Sequence, residues 1–182
     1  MRKLSKIKST AELQLAMLEK RVIYLHREVN AYSIYDLLIE LDYLQALNNK
    51  PIKLYINSPG GSVDCGLALY DAIKRCKAPV YTICQGLAAS MGAVLLGAGK
   101  KGCRAANIHA RIMIHQPSGG FIGKSSDIEN YASEISRMRK SLNELIAKDT
   151  GQTFKKVSID TEKDYFMTAQ EAKEYGIIDK II

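Results

Sequence analysis

The sequence has no C-x-x-C pair among its four cysteines, Cys65, Cys76, Cys84 and Cys103, so it lacks the ligand spacing of a zinc site. Reduced thiols in a cytoplasmic protein are the plain reading. Neither H-E-x-x-H nor H-x-x-E-H occurs, so no metal is expected. There is also no G-x-x-x-x-G-K-S/T loop, and no nucleotide or other cofactor is expected. No apolar run reaches the ~18–20 residues that a membrane span needs; the longest, around Leu87 to Ala98, is broken by Ser90 and glycines. Arg2 and Lys3 are followed by no apolar h-region, so no secretion signal is expected. Basic residues outnumber acidic ones, 26 to 19, for a net charge of +7. They are dispersed, without interleaved aromatics to stack on bases, which argues against nucleic acid as a partner.

What remains is the composition of a soluble globular domain: 182 residues, 47% hydrophobic and 25% charged. That is enough for one core, so residues 1–182 are read as one domain with a distinct segment over 1–10. Ser9 with Glu12 has the spacing of a capping box. Arg21 to Leu25 reads as a strand, Ile34 to Leu47 as an amphipathic helix carrying Leu37, Leu38, Leu41 and Leu44, and Ile52 to Asn57 as a second strand. Next come SPGGSV (58–63), a helix near Leu67 to Lys74, the strand Val80 to Cys84, GLAASMG (86–92) and another apolar helix.

Strand, glycine turn and helix, twice over, predict an α/β fold of βαβ units. Its parallel strands are expected in a buried sheet, with the site at their carboxyl ends. Downstream, Arg111 to His115 reads as a strand and Gln116 to Gly123 as a glycine-rich extended arm. A long helix over Asp127 to Lys148 is predicted to start at a box of Ser126 with Glu129 and to stop at Gly151. Its stripe of Ile128, Tyr131, Ile135, Met138 and Leu142 is core by default, yet a helix of this length beside such an arm can project and meet a second copy. A box of Thr168 with Glu171 opens a short helix closed near Gly176, before a terminal strand over Ile177 to Ile182.

Two turns carry the candidate chemistry. GLAASMG puts Ser90 between a strand and a helix N-terminus, where free N–H groups favour an oxyanion; its bland alternative is a helix cap. SPGGSV sets the Gly61 N–H toward the same end of the sheet, and the Met91 N–H would be a second donor. Of the three histidines, His115 is the best-placed base because it ends an apolar strand ahead of Pro117 and glycines, whereas His26 and His109 read as surface residues. A third group would orient the imidazole. Spacing does not choose among Asp149, Asp160, Asp164 and Asp179.

The blocks LYINSPGGSV, GLAASMGAVLLGAG, RIMIHQPSGG and DTEKDYFMTAQEAKEYGIID resemble those of the ClpP family, the peptidase subunits of Clp proteases, in order and without gaps. The resemblance runs from about Ala11 onward. It implies a ClpP/crotonase-like α/β fold of repeated ββα and βαβ units with a protruding handle, a long helix plus a glycine-rich strand over about 116–150. It implies Ser90 as nucleophile, His115 as base, Asp164 as acid, and Gly61 and Met91 as oxyanion donors. Gly60, Gln116, Pro117, Ser118, Gly119 and Gly120 would bind an extended polypeptide substrate. The implied assembly is two stacked heptameric rings fed by a AAA+ unfoldase of the ClpX, ClpA or ClpC type.

Two departures bear on regulation. Lys163 stands where many relatives have Arg before the acid, and it lacks the bidentate fork. Lys53, Arg75, Gln85, Ala105 and Asn107 replace apolar side chains of the ATPase docking surface, with Tyr55 and Ile83 retained, so docking is expected to be weak and to involve a second ClpP-type ring. The alternatives are a non-catalytic ClpP-like subunit of a mixed ring and, more remotely, a crotonase-type acyl-CoA enzyme.

Overall fold

The computed structural model describes residues 9–182. Helix α1 (Thr10–Glu19) starts where the Ser9 hydroxyl accepts the Glu12 N–H at 3.2 Å. Strand β1 (Val22–Leu25) leads to α2 (Ala31–Leu47), which is capped by a reciprocal pair of Asn30 and Ser33 and buries Ile34, Leu37, Leu41 and Leu44. Arg21, almost fully buried, aims its guanidinium at the carbonyls of Leu44, Asn48 and Lys50, so a side chain satisfies the end of α2. Strand β2 (Ile52–Ser58), α3 (Val63–Arg75), β3 (Val80–Ala89) and α4 (Met91–Gly97) complete the two predicted units.

These strands are parallel, in the order β1-β2-β3. The sheet is not buried on both faces as expected. Along β2, Ile52, Leu54 and Ile56 are fully buried on one side, while Lys53 and Asn57 are exposed on the other. Alternation of this kind marks a strand with one wet face, and here Tyr24 stacks on Tyr55 at 5.6 Å between centroids on that face.

Strand β3 runs on past the predicted end at Cys84, because the three residues of β2 from Ile56 to Ser58 lie against five of β3, Cys84 to Ala88. Gly86, at φ +101°, absorbs the bulge, and the Asn57 carboxamide oxygen accepts the Leu87 N–H at 3.1 Å. The bulge divides β3 between two partners. Its first half pairs with β4 (Ala105–Ala106), and its last residues, Leu87 to Ala89, pair with β5 (Arg111–Ile114).

After β5 come α5 (Ser125–Thr150), α6 (Phe154–Asp160), β6 (Tyr165–Thr168), α7 (Ala169–Tyr175) and β7 (Lys180–Ile181). β7 joins β4 in parallel; β6 joins β5 antiparallel. Gly151 and Gly176 end α5 and α7 in the left-handed conformation, and the box of Thr168 with Glu171 is formed. The box expected of Ser126 and Glu129 is not, since α5 starts two residues earlier, after Lys124, with no side-chain cap. The expected terminal strand shrinks to two residues because Ile177 and Ile178 are buried against the end of α7.

The glycine-rich arm from Gln116 to Gly123 pairs with no strand in the single chain. Among the residues of α5, only Leu142, Asn143 and Ile146 are buried, and Met138 is the first to pack on the core, so the first three turns of this helix stand clear of it. Among the described residues no helix is long and apolar enough to cross a membrane. The expectations for the segment 1–10 fall almost wholly outside the described residues.

Candidate active site

Ser90 occupies the hinge between β3 and α4 with φ +55° and ψ −124°. A side chain at positive φ away from glycine is strained, at a cost of about 1–3 kcal/mol, and such strain gathers at functional sites. Its Oγ makes no capping hydrogen bond, so a serine that merely caps α4 is not what the fold contains. The main chain holds it in place: the Ser90 N–H donates to the Met113 carbonyl at 2.8 Å, and the Ser90 carbonyl accepts from Ala93 and Val94.

The SPGGSV turn lies against this hinge. A Cβ on Gly60, at φ +92°, would stand 2.6 Å from the Ala89 carbonyl oxygen and 2.6 Å from the Ser90 Cβ. Only glycine lets the two turns approach this closely. Val29 bridges to Gly61 by donating to the Gly60 carbonyl (2.7 Å) and accepting from Ser62 (2.8 Å). Among the described residues, that pattern leaves the Gly61 N–H without an acceptor, and the Met91 N–H, in the first turn of α4, has none either.

His115 follows β5, whose Met113 pairs with Ala89, so Ser90 and His115 leave neighbouring parallel strands at the same end of the sheet. The antiparallel partner on the other side of β5 is β6, with Ile114 opposite Tyr165. This register brings Asp164 to His115, with Nδ1 and Oδ1 2.9 Å apart. The other three aspartates are engaged elsewhere. Asp149 accepts from Tyr70 (2.9 Å) and Lys74 (2.7 Å). Asp160 accepts from Lys156 and Tyr175, each at 2.8 Å. Asp179 forms a two-oxygen pair with the buried Arg104; burial pushes its carboxyl up, but the Arg104 hydrogen bonds outweigh that and hold it below the usual carboxylate range.

The remaining histidines stay at the surface, His109 exposed in a turn and His26 edge-on to Tyr24 at 5.0 Å. Cys84 is no rival nucleophile, since desolvation pushes its thiol up to about 12. Among the described residues no three His, Cys, Asp or Glu side chains gather as a metal site. Of the residues expected to bind substrate, Gly60 lines the hinge, and Pro117 to Gly120 continue from His115 into increasingly exposed chain. Gln116 is different. Its N–H donates to the Thr161 carbonyl at 2.7 Å, and its Nε2 to the Glu162 carbonyl at 2.9 Å. Sequence reading missed this clip, for which pattern and periodicity carry no signal.

The sequence model described as Clp protease matches residues 5–182. The chain belongs to the Clp protease family. Within that family it is 54% identical over 165 residues to the ATP-dependent Clp protease proteolytic subunit 2 of Prochlorococcus marinus subsp. pastoris, covering 90% of this chain and 82% of that protein. The subunit of the same name from Prochlorococcus marinus strain MIT 9312 is also 54% identical, over 90% of this chain and 81% of its own length.

Clp family membership gives the Gly60 contact a measurable consequence. Gly60→Ala would push its Cβ into the hinge, and a shift of about 1 Å in a reacting group costs on the order of 10²-fold in rate. Peptide hydrolysis by Gly60→Ala is therefore expected to fall about 10²-fold. A variant with parental turnover would show that the hinge tolerates displacement.

Proposed function

We propose that this chain is a serine endopeptidase subunit of a Clp protease, with Ser90 as nucleophile, His115 as general base and Asp164 as the group that orients it. The observation that carries the reading is the His115–Asp164 hydrogen bond of 2.9 Å at the end of the strand beside the strained Ser90 hinge. Asp164 accepts the Nδ1 proton and so leaves a lone pair on Nε2. Nε2 takes the hydroxyl proton as Ser90 Oγ attacks a peptide carbonyl. The Gly61 and Met91 N–H groups, which have no acceptor among the described residues, receive the developing oxyanion, each worth roughly 10²–10³ in rate. The imidazolium then protonates the leaving amine, and water, deprotonated by the same ring, releases the acyl group. This arrangement favours neither the acyl-CoA reading nor a non-catalytic subunit.

Polypeptide substrate lies extended along Gly60 and Pro117 to Gly120, whose unpaired backbone can accept an added strand. Gln116 offers this strand its carbonyl, since its N–H is engaged. The arm and the exposed half of α5 form the handle between two stacked heptameric rings; Phe121 stacked on Tyr131 at 4.4 Å and the fully exposed Ile122 supply apolar surface for that contact. A AAA+ unfoldase feeds the chamber. Lys53, Arg75 and Asn107 are exposed on the docking side, and burying such groups unpaired is costly, so the unfoldase acts mainly through a second ClpP-type ring.

The test is titration of peptidase activity with a fluorophosphonate. Hydrolysis of a short fluorogenic peptide is expected to reach zero as one equivalent per chain is taken up. Hydrolysis that persists in a fully modified protein would exclude a serine peptidase.

A further inference from the structure

The His115–Asp164 contact has little to hold it in place by itself. The Asp164 side chain is 59% exposed and that of His115 26%, and a contact so open to water is weak by itself. Orientation has to come from the backbone on either side. On one side it does so through the β5–β6 ladder, where Ile114, just before His115, faces Tyr165, just after Asp164.

On the other side the ladder ends and side chains take over. The Gln116 clip ties the residue after His115 to the carbonyls of Thr161 and Glu162, three and two residues before Asp164. Thr161 is itself fully buried, with its Oγ1 2.8 Å from the Val157 carbonyl and 3.0 Å from the Asn143 carboxamide oxygen. Asn143, only 3% exposed, donates from Nδ2 to the Ser158 hydroxyl at 3.2 Å. It sits where α5 passes from its exposed half into the core. Buried polar groups that satisfy one another fix a single geometry, because any other leaves one unpaired.

We propose that Gln116, Thr161 and Asn143 form a positioning latch that fixes the Thr161–Asp164 turn, and with it the Asp164 carboxylate, against His115. The latch rests on the triad reading above. One hydrogen bond joins Asn143, at the root of the exposed α5 helix, to Thr161, three residues before the acid, and a second joins Thr161 to Gln116, beside the base. None of the three side chains touches the reacting atoms. Gln116, expected from the sequence to bind substrate, acts through its amide as a clip.

Two substitutions each remove one side-chain arm of the latch while keeping side-chain volume and the Gln116 N–H bond to the Thr161 carbonyl: Thr161→Val deletes the buried hydroxyl, and Gln116→Met deletes the carboxamide. Misplacement of a catalytic group by about 1 Å costs on the order of 10²-fold, so Thr161→Val is expected to lower kcat by about 10–100-fold and Gln116→Met by about 10-fold. KM is expected to stay unchanged. Thr161→Ser, which keeps the hydroxyl, is expected to restore most of the loss.

The deciding readout is fluorophosphonate labelling of the assembled full-length protein. The labelling rate is expected to fall in proportion to kcat while every chain is still modified at completion. Parental kcat in both Thr161→Val and Gln116→Met would overturn the latch, as would a loss explained by fewer labelled chains, the sign of partial unfolding. Failure of the triad reading looks different: the parent protein itself would take no label on Ser90.

Discussion

Ser90→Ala is expected to lower hydrolysis of a fluorogenic peptide by a factor on the order of 10⁶, because members of a nucleophile–base pair act as a unit and the loss of one removes nearly the whole benefit. The same substitution is expected to leave the melting temperature close to that of the parent. Ser90 Oγ caps nothing, so α4 loses no cap, and alanine keeps a Cβ at the same strained φ of +55°. The two outcomes together separate chemistry from folding. A melting temperature lowered by many degrees would mean that the hydroxyl supports the hinge, and turnover within tenfold of the parent would mean that another group is the nucleophile.

Asp164→Asn is expected to reduce kcat by about 10³–10⁴, with the upper figure being that for loss of the correct imidazole tautomer in a buried triad. An amide carries no charge to stabilise the imidazolium, and when its NH₂ faces Nδ1 the ring proton moves to Nε2, where the base needs a lone pair. The high exposure of Asp164 places the expected effect toward the lower figure, since water supplies part of the lost stabilisation. Comparison of kcat and KM for the same peptide checks it. KM is expected to be unaffected, as Asp164 reaches substrate only through His115. Asp160→Asn and Asp149→Asn, at aspartates bound to other partners, are the matching controls, and a larger loss in either than in Asp164→Asn would reassign the acid.

The elements on which the site depends were legible to different degrees. The β2 strand and the two glycine turns were readable because alternation and glycine punctuation are local signals. Ser90 and His115 could be placed at strand ends on the same grounds. Asp164 could not be chosen over its rivals from spacing, since its place beside His115 comes from β6, four residues whose pairing with β5 is a long-range event. The resemblance to known sequence blocks named Asp164, and of the four aspartates it is the one that lies 2.9 Å from His115.

The bulge that carries β3 to Ala89 was hidden for a similar reason: it depends on the register with β2, and Gly86 alone reads as a turn. The missing cap at Ser126 shows the converse limit. A capping pattern states what a segment can do, and α5 begins two residues before the start it predicts. The Gln116 clip had no signature because glutamine beside proline and glycines reads equally well as loop or binding segment.

The central claim is that the Ser90 hydroxyl, and no other, is activated by His115 held by Asp164. Mass mapping of the fluorophosphonate adduct tests it most directly, on the parent protein and on Asp164→Asn under identical conditions. The account predicts a single adduct on Ser90 in the parent, formed far more slowly in Asp164→Asn. An adduct on any other residue, or equal labelling rates in the two proteins, would contradict it.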